Sequence, residues 1–459
     1  MVDLLWGIGG MAGLLLIALA LSSNRRAIRL RTVLGALALQ VGFGVLVLYW
    51  GPGRWALQKV SEGFQAVINT SGEGISFLFG PVLPEEGSVF AFQVLPVIIF
   101  FASLTAVLYH WKILPKVVSW LGGALGKLLG TSYAESVNAA ANIFVGQTEA
   151  PLVVRPYIKR LSRSGLFAVM VGGLSTVAGS VLVGYSLLGA PLEYLIAASF
   201  MAAPGALLMA KIIVPEDDPD AVAREAELVA ASSRAAKSRR AARSGDSSTV
   251  PAGSGTAGTA GATRSDASAG ATGEETTDDA EEDLGEIQYR NVIDAAAGGA
   301  GDGLKLAAMI GAMLLAFISL IGLVNLLIGT VGDWFGAGDL TFEQILGYVF
   351  APVMVMLGVP WSEAVASGSF VGQKLVLNEF VAFTNFGPEA GSFSEKSAAI
   401  ITFSLTGFAN FSSLGILLGG IGQIAPERRS EIAQMGIKAI LAGTLANLMS
   451  ATIAGILLA

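Results

Sequence analysis

Three short stretches of this 459-residue chain place reactive or hydrogen-bonding side chains inside otherwise apolar runs. Gly146-Gln147-Thr148-Glu149-Ala150-Pro151 sets a backbone break, an amide, a hydroxyl and a carboxylate side by side. Asn378-Glu379 repeats the amide and carboxylate, and Gly407-Phe408-Ala409-Asn410-Phe411-Ser412-Ser413 adds a second amide and two hydroxyls. A carboxylate at membrane depth costs about 2.5–3.5 kcal/mol on insertion scales, so it normally faces a cavity or partner and serves a function. Positive half-helix ends and side-chain donors at such positions can bind ligand oxygens, and unwound carbonyls can coordinate a cation. A hydrolase using Glu149 and Glu379 as an acid and base is the rival. The sole histidine, His110, sits at the end of an apolar run, and cysteine nucleophiles and thiolate metal ligands are excluded because the chain has no cysteine. A non-transporting gate or assembly protein is a second rival, although it would not need polar residues in both stretches.

The elements that must hold these residues are membrane helices. With 53% hydrophobic and 14% charged residues and a mean hydropathy of +0.66, the chain reads as a polytopic membrane protein. The net charge of −7 is local: residues 216–290 carry 16 acidic and 8 basic side chains, and the rest is nearly neutral. That balance says nothing about substrate charge.

Leu4 to Leu21 is the first span, followed by Arg25, Arg26, Arg29 and Arg31, which sets the N-terminus outside. Val33 to Tyr49 returns, Arg54 to Phe79 has the mixed pattern of interfacial helices, and Val89 to Tyr109 is a third span. The arms Tyr133 to Val145 and Pro151 to Leu161 are about 20 Å and 17 Å long as helices, too short to cross alone. With Gly146 as a turn, Thr148 as N-cap and Glu149 at the positive helix end, they predict a re-entrant hairpin with its tip near the midplane. Leu166 to Leu188, broken near Thr176, Gly179 and Ser180, Leu192 to Ile213 and Leu304 to Ile328 are the next spans. Gly172-Gly173 reads as a packing surface. Between them, 215–290 has the composition of an unstructured cytoplasmic tether. Phe342 to Leu357 is apolar but short, and Ala398 to Leu418 and Met435 to Leu458 complete eight spans, with the C-terminus outside.

Phe370-Val371-Gly372-Gln373 repeats Phe144-Val145-Gly146-Gln147 letter for letter, and Lys374 to Phe383 forms a second short apolar segment with Asn378-Glu379. Three spans separate the two hairpins, so they are inverted. The fold class expected is therefore all-α polytopic, with eight transmembrane helices and two re-entrant helical hairpins in inverted repeats. Its divisions are an N-terminal scaffold (1–130), a first repeat (131–214), the tether (215–290), a scaffold span (291–341), a second repeat (342–425) and a last span (426–459). Inverted repeats with short broken segments and polar tips are the signature of secondary transporters with sites between the repeats.

The three stretches, with Arg155-Pro156-Tyr157 after the first, resemble in order the signature blocks of the concentrative nucleoside transporter family. The resemblance covers nearly the whole chain apart from 216–290. It implies a homotrimer in the cytoplasmic membrane, a nucleoside substrate, lipid but no nucleic-acid partners, and no cofactor beyond a coupling ion. That ion is expected to be sodium; a proton carried on Glu149 or Glu379 is the alternative. By the resemblance Gln147 and Thr148 bond the nucleobase, with Glu149 nearby through water and Val181 of the unwound fourth span packed on it. Glu379, Asn410 and Ser413 bind the ribose, with Phe408 alongside. Asn142, Val145, Thr176 and Val177 hold sodium.

Overall fold

The computed structural model describes residues 2–83, 89–218, 220–231, 234 and 289–458, and every regular element among them is helical. The N-terminal part comprises α1 (Val2–Leu21), α2 (Leu30–Gly44, prolonged by a π turn over Val45–Tyr49), α3 (Gly51–Phe79), α4 (Phe90–His110) and α5 (Ile113–Leu129). The first repeat follows as α6 (Tyr133–Ala141), the short turns α7 (Ala150–Val153) and α8 (Arg155–Ile158), α9 (Arg163–Ser175), α10 (Gly179–Leu187) and α11 (Leu192–Ile213). After α12 (220–231) comes α13 (Val292–Asp333). The second repeat is α14 (Phe342–Leu357), α15 (Trp361–Val376), α16 (Glu379–Glu389), α17 (Glu395–Leu405), α18 (Phe411–Ile424) and α19 (Arg429–Leu457).

Seven of these elements, counting the broken α9–α10 as one, are long and apolar enough to cross a membrane. The remaining one of the eight expected spans, the seventh in chain order, is split: α17 and α18 are 11 and 14 residues long and part at 406–410. Such breaks are tolerated at membrane depth only where the backbone is buried in protein or lines a cavity. The core is formed by α9–α10, α11 and α19, of which 89%, 94% and 83% are buried, against 22% for α1, α4 and α13. The two repeats correspond element for element. In each, an amphipathic helix (α5 or α14) packs on the inner hairpin arm (α6 or α15), and a broken span and an intact one follow.

Several expectations need correction. Of the segment expected to be unstructured, 220–231 is a helix packed under the first hairpin, with Ala221 and Glu225 buried; 219, 232–233 and 235–288 lie outside the described residues. The expected span 304–328 is the middle of a 42-residue helix, about 63 Å long and twice the thickness of a bilayer core. Its helical start is glycine-rich because the crossing needs small residues. A Cβ at Gly299 would sit 2.6 Å from that of Ala106, and one at Gly303 would sit 2.7 Å from the Ile99 Cα, so α13 crosses α4 at close range. The helix α5 was not expected, and α19 begins six residues before the predicted span. Gly172-Gly173 does pack: Cβ atoms there would meet the Asn138 and Asn142 amides and the Gln147 side chain.

Candidate functional site

The first hairpin is closed by local chemistry at both ends. Ser132 and Glu135 form a reciprocal capping box at the start of α6, and the Glu225 carboxylate accepts from the Ala134 N–H at 3.0 Å. At the tip, α6 ends at Ala141 and the chain turns through 142–149. Glu149, not Thr148, is the N-cap residue of α7, and no side-chain capping bond forms. Backbone bonds dock the tip onto the break in the fourth span, where the Gly179 N–H donates to the Phe144 carbonyl at 3.2 Å. The unwound residues are 176–178; Val181, expected among them, lies in the first turn of α10.

In the second hairpin Asn378 caps α16, its Oδ1 accepting from the Val381 N–H at 2.9 Å, and Glu379 opens that helix at its positive end. Glu379 is 4% exposed. Its Oε1 accepts from the Tyr185 hydroxyl at 2.9 Å and its Oε2 from Asn410 Nδ2 at 2.8 Å. Asn410 can donate because its Oδ1 is committed as the cap of α18, accepting from the Ser413 N–H at 2.8 Å and from the Ser412 hydroxyl. One carboxylate is thus held by a donor from each repeat, which compensates its burial and leaves its remaining lone pairs for a ligand.

All eight residues assigned to substrate line a single chamber of about 630 Å³: Gln147, Thr148, Glu149, Val181, Glu379, Phe408, Asn410 and Ser413. Gln147 Nε2 reaches Ser413 Oγ at 3.4 Å, joining the first hairpin to the seventh span across its floor. From there the chamber runs past α4 and the base of the first hairpin, with Tyr109, Tyr157, Tyr289 and Lys305 among its walls. On the other side Tyr185 stacks on Phe383 with centroids 4.4 Å apart and meets Phe380 edge-on.

Of the four residues assigned to sodium, Val145 touches the chamber, and Asn142, Thr176 and Val177 are fully buried behind it. Their chemistry fits a monovalent cation. Asn142 Oδ1 is buried with no hydrogen-bond partner, as are Asn138 Oδ1 and Gln147 Oε1 on the same hairpin. The Thr176 hydroxyl donates to the Gly172 carbonyl at 2.8 Å and keeps its lone pairs. Neutral oxygens at a helix C-terminus and an unwound backbone are what such an ion needs.

Sequence reasoning named Asn378 and Ser412 within its motifs without giving them roles of their own, and missed Tyr185 and the walls supplied by α13. It also passed over Lys374 and Asn447, both buried among polar partners. The carboxylate that binds Tyr185 is 194 residues away. The four-letter repeat was only half informative: Gln147 sits at a tip, whereas Gln373 lies inside α15, donating to Ser369 Oγ at 2.9 Å.

Comparison with known proteins assigns the family. Residues 9–82 and 194–455 match the families described as "Na+ dependent nucleoside transporter" N-terminus and C-terminus, and 91–192 match "Nucleoside recognition". The chain is 43% identical to the nucleoside permease NupC of Helicobacter pylori, over 98% of this chain and 97% of that one. It is 48% identical to the uncharacterized transporter YutK of Bacillus subtilis, over 99% of each. CNTnw in an inward-facing substrate-bound state superposes with a TM-score of 0.83 at 46% identity, covering 99% of this chain and 98% of the other. A multi-pass chain with two polar-tipped hairpins around one chamber, so matched from end to end, belongs to the concentrative, sodium-dependent nucleoside transporter family.

Proposed function

We propose that this chain carries nucleosides into the cytoplasm by alternating access, coupled to sodium. The observation that carries the reading is the convergence of eight polar and apolar residues from two inverted repeats on one chamber. Gln147 and Thr148 read the nucleobase, Val181 packs against it, Glu149 acts nearby through water, and Phe408 lies alongside the ribose. Glu379 and Asn410, with Ser413, bind the vicinal ribose hydroxyls, which a buried carboxylate accepts without further charge neutralisation. Asn142, Val145, Thr176 and Val177 hold sodium, whose entry down 100 mV contributes about 2.3 kcal/mol per charge, more than a tenfold accumulation.

The arginine and lysine clusters at 25–31, 112–116, 159–163 and 428–429 favour a cytoplasmic face for the first hairpin's base and 215–290, with both termini outside. In that orientation the chamber faces inward and the Tyr185–Phe380–Phe383 cluster closes the outer side. A homotrimer is the proposed assembly, with the exposed apolar flank of α13, including Leu315, Ile318, Leu323 and Leu326, as part of its scaffold.

The test is uridine uptake into proteoliposomes under a sodium gradient, a proton gradient or neither, at fixed voltage. Sodium-driven accumulation supports the reading, proton-driven accumulation reassigns the ion, and uptake driven by neither removes the coupling claim.

A further inference from the structure

The second hairpin holds a buried cation of its own. Lys374, in the last turn of α15, is 1% exposed, and its Nζ donates to the Ser404 carbonyl at 2.7 Å and to Asn447 Oδ1 at 2.8 Å. Both acceptors of this ammonium are neutral, whereas the Glu379 oxygens are bonded by Tyr185 and Asn410. Asn447 in turn donates from Nδ2 to the Ser175 carbonyl at 2.7 Å and the Thr406 carbonyl at 2.8 Å.

Those last two carbonyls lie at the broken ends of α9 and α17, the corresponding breaks of the two repeats. Both α9 and α17 stop at a threonine, Thr176 or Thr406, whose hydroxyl donates four residues back, at 2.8 Å and 2.7 Å. Both inner hairpin arms abut such a break. Counting back from the helix cap at each tip, Val145 stands four residues before Glu149, and Lys374 stands four residues before Asn378. At the first break the neighbouring amide oxygens, Asn138 Oδ1 and Asn142 Oδ1, are without partners. At the second, the matching position supplies a positive charge to the negative helix end of α17.

We propose that Lys374 is a tethered cation that occupies, in the second repeat, the place a mobile sodium ion takes in the first. The ammonium holds the break of the seventh span folded whether or not an ion is bound. Only the first repeat then exchanges its cation with solution, and each cycle couples to one mobile ion. This rests on the sodium site proposed for Asn142, Val145, Thr176 and Val177, which Asn142→Ala tests separately: retained sodium dependence in that variant removes the site and leaves the role of Lys374 to its own assay.

The assay is sodium activation of uridine uptake by the full chain and Lys374→Ala in proteoliposomes, with choline as the inert cation. The wild type should show a Hill coefficient of about 1. Loss of the two hydrogen bonds of a buried charge should lower Lys374→Ala uptake at limiting sodium by about a hundredfold or more. Raising sodium should recover it with a Hill coefficient near 2, and ammonium ion should substitute for the missing side chain. A second readout is the melting temperature of the purified protein, in which Lys374→Ala should gain an added stabilisation by ammonium that the wild type lacks. If Lys374→Ala does not assemble, Lys374→Asn, an amide like Asn142, is read in the same way. A folded variant with unchanged uptake and a Hill coefficient of one, or one that no cation restores or stabilises, overturns the proposal.

Discussion

Replacing Glu379 by glutamine separates ribose recognition from mere burial of a polar group. The substitution keeps the shape of the side chain but removes the charge, and its amide nitrogen must face either the Tyr185 hydroxyl or Asn410 Nδ2, both of which donate to the carboxylate at 2.9 and 2.8 Å. Asn410 cannot turn to accommodate it, because its Oδ1 caps α18. A hydrogen bond to a charged group contributes about 1.5–3 kcal/mol, which is about 10- to 150-fold in affinity. Glu379→Gln should therefore weaken uridine binding by that range in the reconstituted or detergent-purified protein, measured by calorimetry in saturating sodium. The control is 2′,3′-dideoxyuridine, which has no hydroxyls for the carboxylate. It should bind the wild type weakly and lose little more in the variant, since a site built to pair a hydroxyl discriminates through that pairing. Equal losses for the two ligands would refute ribose recognition by Glu379, as would unchanged uridine affinity.

Four other outcomes follow from the same geometry. Asn142→Ala removes one of the unpartnered amide oxygens and should raise the half-saturating sodium concentration by about tenfold or more, on the scale of one lost ligand interaction of about 1.5 kcal/mol, with uridine affinity in saturating sodium little changed. Gly303→Val should destabilise the protein by about 1–3 kcal/mol in thermal melts, because its branched side chain would meet Ile99 and Ala102 where α13 crosses α4. Excision of 235–285 should leave uptake kinetics unchanged, whereas Glu225→Ala should cost about 1 kcal/mol of hairpin stability through the lost cap on α6.

The Glu225 cap also carries a pH dependence. Burial pushes the Glu225 carboxyl above its ordinary value of 4.5, assisted by Glu135 and opposed by the Ala134 N–H, the Ser132 hydroxyl and Lys211. A carboxyl raised in the docked state stabilises docking fully below the ordinary value, and the gain is lost as pH rises through the raised one. Because the chain has no cysteine, a spin label at Ala230→Cys reports docking of α12 cleanly. Its mobility should increase as pH rises above 4.5 and become flat in Glu225→Gln.

Much of this architecture is legible in the sequence because the bilayer permits few solutions. Runs of about 20 apolar residues must be helices, and polar interruptions must face protein or a cavity. That logic located both hairpin tips and the polar interruptions of both broken spans, whereas the eight residues assigned to substrate came from the resemblance to the transporter family. It failed where packing overrides hydropathy. The glycines at the start of α13 lower its apparent apolarity, yet they are what allow the helix to press on α4. Tyr185 and Lys374 lie within otherwise apolar or mixed helical runs, and their partners become visible only in three dimensions. The helix over 220–231 has the composition of a solvated tether, and its one decisive contact, Glu225 on the Ala134 N–H, spans 91 residues.

The most direct test is a structure of the protein with uridine and sodium bound. The nucleoside should lie in the chamber with its base against Gln147 and Thr148 and both ribose hydroxyls within about 3.2 Å of Glu379 or Asn410 oxygen and nitrogen atoms. Density for uridine outside the chamber, or with the ribose turned toward Gln147 and the base toward Glu379, would contradict the proposed site.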